Sequence, residues 1–233
     1  MKLTPDTLNI LKNFANLNPS IVINRGSLIE TVTPSGTIIA SATVTDKFPA
    51  QLRLPDISRF LGVLTGIFSD PILEFDSENG KYVDVVEKNG SKRTRFWYIA
   101  ESMIVSPPEN RSKINEALSS PDIRFLLEED AIQDITKSAS YLGSKFFGIT
   151  SNGKTMKLNV IGEKSTDDSF EMDLGESNGD TFKLMFNVDR LKFLKGSYDV
   201  EISQHGISRF TNKDLDVNYV VSLEEQFLSY KKG

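Results

Sequence analysis

Apolar residues return at helical spacing in two long segments of this chain. From Thr4 onward, Leu8, Ile10, Leu11, Phe14 and Ala15 share one side of a helix, and an apolar strand follows as far as Asn24. After Glu128, Ile132, Ile135, Ala139 and Leu142 make the same stripe, and again a strand follows, to Thr150. A shorter unit recurs as well: an acid-started helix running into a strand at Asp56 to Phe75 and at Asp189 to Ile202. The recurrence predicts an internal duplication, each half holding two helices and a set of strands.

Between the helices the pattern alternates with period two. Asn79-Gly80, Asn89-Gly90, Asn152-Gly153 and Asn178-Gly179 supply the positive backbone angles of tight hairpin turns, each beside a β-branched or alternating run. The first half is predicted to hold strands at 21–24, 28–33, 37–44, 51–54, 72–76, 82–87 and 94–99. The second half is predicted to hold them at 123–127, 145–150, 154–161, 170–174, 181–186, 198–203, 207–210 and 217–223. Ser106 to Pro121, with Pro107-Pro108 and Ser119-Ser120-Pro121, reads as a connector, because proline removes backbone donors and restricts its predecessor. The expectation is an α+β protein of two similar domains, 1–108 and 109–233, each large enough for its own core, with a tail from Glu225 that frays in part.

Charge changes this picture. The chain carries 27 basic and 32 acidic residues, a net charge of -5. Such a balance argues against holding nucleic acid by bulk electrostatics. The distribution is uneven, however. The outward face of the first helix has Asn9, Lys12, Asn13 and Asn16, and that of the second has Ser58, Arg59, Gly62, Thr65 and Gly66 opposite Ile57, Phe60, Leu61, Leu64 and Ile67. The third presents Gln133, Lys137, Ser140 and Tyr141. A fourth, capped by Asn187, presents Arg190, Lys192 and Lys195, with Leu191, Phe193 and Leu194 turned to the core. The acidic excess falls on strands and turns, among them Asp76, Glu78, Asp84, Glu87, Glu171, Asp173, Glu176, Asp180, Asp214 and Asp216. Complementation of the helix dipole explains any one of these helices. For all four together, in a negative chain, a cation-bearing functional surface is an equal alternative. Each glycine inside a helix costs about 1 kcal/mol relative to alanine. Gly62 and Gly66 on an outward face therefore imply either the close approach of a large partner or a helix that ends near Gly66.

Several function classes fall away. With no cysteine and one histidine, His205, the chain has no disulfide scaffold, no thiolate site and no usual zinc ligand set, and no cofactor is expected. No run approaches the roughly 20 apolar residues that span a bilayer, and the N-terminus lacks the apolar core of a signal peptide, so an intracellular protein is expected. Asp167-Asp168, or Asp214 with Asp216, could serve acid-base chemistry, but neither has a histidine partner nearby or a glycine-rich cradle. The expectation is a protein that is not an enzyme. A non-catalytic, β-rich virion structural or interaction protein would also explain the strands and the acidity, although not the cations on the helices.

Met1-Lys2-Leu3, Leu11-Lys12-Asn13-Phe14-Ala15, Phe60-Leu61-Gly62-Val63-Leu64, Phe96-Trp97 and Asn218 to Glu224 together resemble, in order and spacing, the sliding clamps of tailed bacteriophages, the processivity factors of DNA polymerase. The resemblance runs the length of the chain and is weakest at the connector. It implies a DNA-clamp fold in which three two-domain subunits join head to tail, with helices lining the hole and sheets outside. It also implies duplex DNA, a replicative DNA polymerase and an ATP-dependent clamp loader as partners, and the cytoplasm of an infected bacterial host as the location. No G-x-x-x-x-G-K-[ST] loop is present, so ATP chemistry would belong to the loader. On this resemblance Lys12, Arg59, Lys137, Arg190, Lys192 and Lys195 would face DNA. Ile104, Val105, Pro107, Tyr219 and Val221 would line a pocket for short partner peptides.

Overall fold

The computed structural model describes residues 1–161 and 168–233, so Asp167 lies outside the described residues. The chain divides into two compact units, Met1–Glu109 and Asn110–Gly233. Among the described residues no helix is long and apolar enough to cross a membrane.

The first unit runs α1 (Pro5–Ala15), β1 (Ile21–Ile23), β2 (Gly26–Val32), β3 (Ile38–Phe48), β4 (Leu52–Leu54), α2 (Ile57–Gly66), β5 (Pro71–Phe75), β6 (Tyr82–Glu87) and β7 (Arg93–Trp97). Strands β1 and β4, β2 and β3, and β5, β6 and β7 pair antiparallel, with β6 in the middle of the last three. Helix α1 starts where Thr4 caps the Thr7 N–H and Pro5 occupies a position that needs no donor. The Asp46 carboxylate on β3 also accepts the Thr4 N–H at 2.8 Å, which ties the helix start to the sheet. Helix α2 begins at Asp56, whose side chain accepts the Arg59 N–H at 2.8 Å. The two helices pack against each other, and α1 also packs on β3. Ile10, Leu11 and Phe14 from α1 and Ile57, Phe60, Leu61 and Leu64 from α2 are buried, and Phe60 meets Phe96 edge-on at 5.1 Å.

Two side chains depart from the helical-wheel reading. Asn13, expected on the polar face, is buried, and Ile67, expected in the core, is 52% exposed. The second follows from the helix end: α2 stops at Gly66, Ile67 is its C-cap, and Phe68 fills the core position instead.

The second unit runs α3 (Ser112–Ala117), β8 (Ile123–Leu127), α4 (Glu129–Leu142), β9 (Phe146–Asn152), β10 (Thr155–Ile161), β11 (Ser169–Glu176), β12 (Thr181–Asn187), β13 (Tyr198–Ser203), β14 (Ile207–Asn212), β15 (Val217–Ser222) and β16 (Ser229–Lys231). One sheet has the order β11-β10-β9-β12-β16, and β8, β13, β14 and β15 form a second antiparallel ladder in the order β15-β14-β13-β8. Helix α4 packs on β9 and β10 and ends at Gly143, whose φ of 64° is the left-handed cap that glycine adopts without strain. Gly148 on β9 is required by contact: a Cβ there would lie 2.2 Å from the Met185 sulfur on β12.

Each strand expected from the sequence is present, within a few residues at its ends. The elements that were not expected include a helix in the connector and a strand in the tail. The connector holds the short helix α3, whose start is tied by the Asn110 side chain accepting the Ser112 N–H at 3.0 Å. The tail contributes β16, paired to β12.

Asp84 is the polar centre of the sheet β5-β6-β7. Its side chain is 2% exposed and accepts from Arg95 Nε at 2.8 Å and from Arg93 Nη1 at 2.5 Å. The Arg95 guanidinium lies 3.6 Å over the Tyr82 ring, which meets Trp97 edge-on at 5.2 Å. Hydrogen bonds from Arg95, then Arg93, hold the Asp84 carboxyl below its usual value of 3.8. A depressed carboxyl contributes stability that is complete above its unfolded value and is lost as pH falls through the folded one. Asp84→Asn should therefore cost about 1–3 kcal/mol at neutral pH. In urea titrations the deficit should shrink as pH falls below 3.8, and a deficit constant with pH would refute this role.

Candidate functional site

The apolar stripe of each helix is taken up by its sheet, which leaves a defined polar face. On α1 that face is Asp6, Asn9, Lys12 and Asn16. On α2 it is Ser58, Arg59, Gly62, Thr65 and Gly66. A Cβ added at Gly62 or Gly66 would meet nothing within 4 Å, so packing within the chain does not call for either glycine. Thr65 turns its hydroxyl back to the Leu61 carbonyl at 2.8 Å, which leaves only its methyl outward. This face is therefore low in relief, with Arg59 as its charge. On α4 the exposed residues include Gln133, Thr136, Lys137, Ser140 and Tyr141, the last 86% exposed, with Glu129 and Asp130 in the first turn. Lys12, Arg59, Lys137 and Lys195 are exposed and form no ion pair among the described residues. Lys192 is exposed too.

The fourth helix expected from the sequence is not one. Asn187 caps the Asp189 N–H at 2.9 Å, but only one 3-10 turn, Val188–Arg190, follows. The segment after it is held by side chains instead. The Leu194 N–H donates to the Tyr219 hydroxyl at 3.1 Å, and the Leu194 carbonyl accepts from the Tyr198 hydroxyl at 2.6 Å. Phe193 stacks on Tyr219 at 4.6 Å, and Gly196 takes a φ of 131° to close the segment into β13. Phenols from β13 and β15 thus take the place of helical backbone partners. Burial pushes the Tyr198 hydroxyl up to about 12 and drives that of Tyr219 higher still, so both remain protonated.

Arg190 must be moved off the expected DNA-facing set. Its side chain is 16% exposed, with Nη2 on the Glu224 carboxylate at 2.6 Å and Nη1 on the Ser222 carbonyl. It fastens the turn after β12 to the end of β15. The sequence offers no sign of this, because the partners lie more than 30 positions away.

The expected peptide-pocket residues also separate. In the first unit Ile104 is buried, Val105 is 49% exposed and Pro107 is half-buried, and the Val105 carbonyl accepts from Asn18 Nδ2 at 3.0 Å. In the second unit Tyr219 and Val221 are sealed in the core, at 0% and 1% exposed, and offer a ligand no surface. They alternate inward along β15, the pattern of core residues, so the assignment carried by the resemblance does not hold for these two. Sequence reasoning missed a cavity of about 490 Å³ in the second unit. It lies where α3 faces the β13–β14 turn and is lined by Lys113, Ala117, Asp122, Gln204, His205 and Ile207 among others. Asp122 holds that turn by accepting the Gln204 N–H at 2.7 Å. The turn itself was legible, but its apposition to α3 is tertiary.

Strands β7 and β11 each end a sheet. On β7, Arg93, Arg95 and Trp97 are exposed, and Thr94 and Phe96 are half-buried. On β11, Glu171 and Asp173 are exposed, and Phe170, Met172 and Leu174 are half-buried. Each edge thus has an incompletely covered apolar side, and the charges on the other sides are of opposite sign.

The family described as gp45 sliding clamp, C terminal, matches residues 128–225. The sliding clamp of Vibrio phage KVP40 is 30% identical over 228 residues, covering 96% of this chain and 99% of that protein. The sliding clamp of Enterobacteria phage T4 is 28% identical over 234 residues, covering 96% and 97%. Among solved structures, the A. fulgidus PCNA bound to the C-terminal region of FEN-1 superposes with a TM-score of 0.64 at 15% identity, covering 93% of this chain and 94% of that one. The Helicobacter pylori beta clamp bound to a DNA ligase peptide gives 0.65 at 12% identity, covering 96% and 64%. These structures share the fold.

The assignment of Arg190 to structure has a direct consequence. Arg190→Ala should lower unfolding stability by about 1.5–3 kcal/mol, the range for charge-assisted hydrogen bonds. Lys195→Ala should change it by less than about 0.5 kcal/mol. Equal effects in thermal or denaturant unfolding would overturn the distinction.

Proposed function

The chain belongs to the phage sliding clamp family, and from that premise we propose that three copies close head to tail into a ring around duplex DNA and tether the replicative DNA polymerase to its template. The observation that carries the finer reading is the set of exposed cations on the helix faces. Lys12, Arg59 and Lys137 stand on faces that no other part of their own unit covers, and none of the three forms an ion pair among the described residues. With Lys192 and Lys195 they form the surface assigned to DNA, and Arg190 is left to its structural role. Such contacts are few, on long side chains, and suited to phosphates rather than bases. Weak contact is what a sliding ring needs, because enclosure rather than affinity keeps it on the duplex. The bare backbone at Gly62 and Gly66 lets the duplex pass close to α2.

Residues 1–108 and 109–233 serve, on this reading, as the two clamp domains of one subunit. The contact that joins subunits is the pairing of β7 on one copy with β11 on the next. That pairing would bury Phe96 against Phe170, Met172 and Leu174 and set Arg95 near Glu171 and Asp173, so that two exposed sheet edges disappear together. A heterologous contact of this kind repeats until rotation closes the ring.

The protein acts without catalysis of its own. An ATP-dependent loader opens and places the ring, and the work is done in the cytoplasm of the infected bacterial host. Polymerase and other replication proteins dock through short peptides, as the FEN-1 and DNA ligase segments seen on the related clamps suggest. Ile104, Val105 and Pro107 remain docking candidates in the first unit, and the second unit offers, by itself, the cavity at His205 in place of the core residues Tyr219 and Val221.

Enclosure is tested by topology. Protein loaded on a circular duplex should be lost when the DNA is linearised and retained while it stays circular, and equal retention on both would sink the proposal. Lys12→Glu, Lys137→Glu and Lys195→Glu combined should lower processive synthesis roughly tenfold or more, with the gap from the parent widest at low salt and narrowing as salt screens the phosphate contacts. The trimer should survive by light scattering. Unchanged processivity would remove these residues from the DNA surface.

A further inference from the structure

The end of the chain lies along the edge of a sheet like a bound peptide. Strand β16 pairs with β12 over only three positions: Lys231 opposite Thr181, Tyr230 opposite Phe182 and Ser229 opposite Lys183. The Tyr230 ring stacks on Phe182 at 6.1 Å, and its hydroxyl donates to the Asp180 carboxylate. The same carboxylate accepts the Gly233 N–H and Asn178 Nδ2, each at 3.0 Å. Phe227, three positions before Tyr230, meets Phe146 edge-on at 5.1 Å. Glu225, Gln226, Ser229 and Lys231 to Gly233 are exposed. The segment therefore rests on two rings, one short ladder and one carboxylate.

With the tail in place, the residues beneath it are covered. Asp180 is 6% exposed and Phe182 3%. Hydrogen bonding, above all from Tyr230, holds the Asp180 carboxyl below its usual value. Without the tail, Asp180 would lose two of its three hydrogen-bond donors, Phe182 its ring partner, and β12 the strand that covers its edge. Exposed strand edges recruit extended chains, with backbone bonds giving affinity and side-chain pockets giving specificity.

We propose that the tail occupies, in cis, a docking groove for an extended peptide of a partner protein. The partner segment carries the chemistry the groove already holds: two aromatic residues three apart, the second bearing a hydroxyl, followed by lysine. Phe227, Tyr230, Lys231 and Lys232 display that pattern, and Lys232 adds favourable charge toward Asp180. The partner gains the groove when the tail lifts, so its apparent affinity is reduced by the fraction of molecules with the tail down. The groove belongs to one unit of one chain and does not depend on ring closure, so its failure in test would leave the clamp reading untouched.

The absence of native cysteine permits a clean lock. Lys183→Cys with Ser229→Cys places two thiols directly opposite across the β12–β16 pair. The probe is a fluorescent peptide with the sequence of residues 223–233, followed by anisotropy. The oxidised protein should bind it about tenfold or more weakly than the reduced one. Full-length Tyr230→Ala should bind it about tenfold or more tightly than the parent. Equal binding by the oxidised and reduced forms, or no binding by Tyr230→Ala, would overturn the proposal. If the disulfide does not close, hydrogen exchange at Thr181 to Lys183 decides: protection gained by Tyr230→Ala on adding peptide supports the groove, and no change refutes it. Growth of Tyr230→Ala into larger species with concentration would mean tails exchanged between copies, which also counts against a foreign partner.

Discussion

Phe14, Phe60 and Ile135 are fully buried, and the burial of these side chains decides what the helices that carry them show to solvent. Each is worth about 1.5–3 kcal/mol relative to exposure. A rotation of α1, α2 or α4 that lifted its anchor out would forfeit that and expose the neighbouring stripe as well. The orientation of Lys12, Arg59 and Lys137 is therefore set from behind. Their side chains remain flexible, but the direction from which they leave the protein does not. The surface we propose for DNA, met lightly and repeatedly, needs that combination of fixed placement and loose tips.

Two polar nodes do comparable work where apolar packing gives no direction. At Asp84, one buried carboxylate gathers Arg93 and Arg95 and, through Arg95, orients Tyr82 and Trp97, so an edge strand is rigid before it meets any partner. At Leu194, the hydroxyls of Tyr198 and Tyr219 satisfy a backbone that is neither helix nor strand. Both nodes depend on groups that keep one protonation state across the neutral range. The architecture they support is in consequence insensitive to pH until carboxylates begin to titrate.

Much of this was legible in the sequence because the signals were local. An Asn-Gly pair fixes a turn, alternation fixes which side of a strand is wet, and together they placed the strands closely. The helix faces followed from spacing alone. The losses were of another kind. Asn187 is a true cap, yet the helix it announces fails after one turn, because the hydroxyls of nearby Tyr198 and remote Tyr219 take the bonds that further helical turns would make. Arg190 looked like its neighbours Lys192 and Lys195 until Glu224 and Ser222 came within reach. Tyr219 and Val221 were assigned to a pocket through the resemblance, while their alternation along the last strand already marked them as core. The tail looked frayed because β16 is too short to signal itself, and its order comes from Phe182, Phe146 and Asp180. For Arg190, for Leu194 at Tyr219 and for the tail, the deciding partner is remote, and no short window along the chain contains it.

Helix α2 carries a further consequence in its two glycines. Gly62 in its interior weakens its intrinsic helicity by about 1 kcal/mol, Gly66 ends it, and beyond the Asp56 cap it has no acid in its first turn and no base in its last to recover the difference. A ten-residue segment of this composition would not stay helical by itself. It exists as a helix because Phe60, Leu61 and Leu64 are seated in the core. Any loosening of that core should melt α2 as one of the first cooperative pieces of its unit, and the Arg59 surface would vanish with it. The molecule is so arranged that a damaged first unit does not keep presenting an intact-looking face: structural failure and functional silence arrive together.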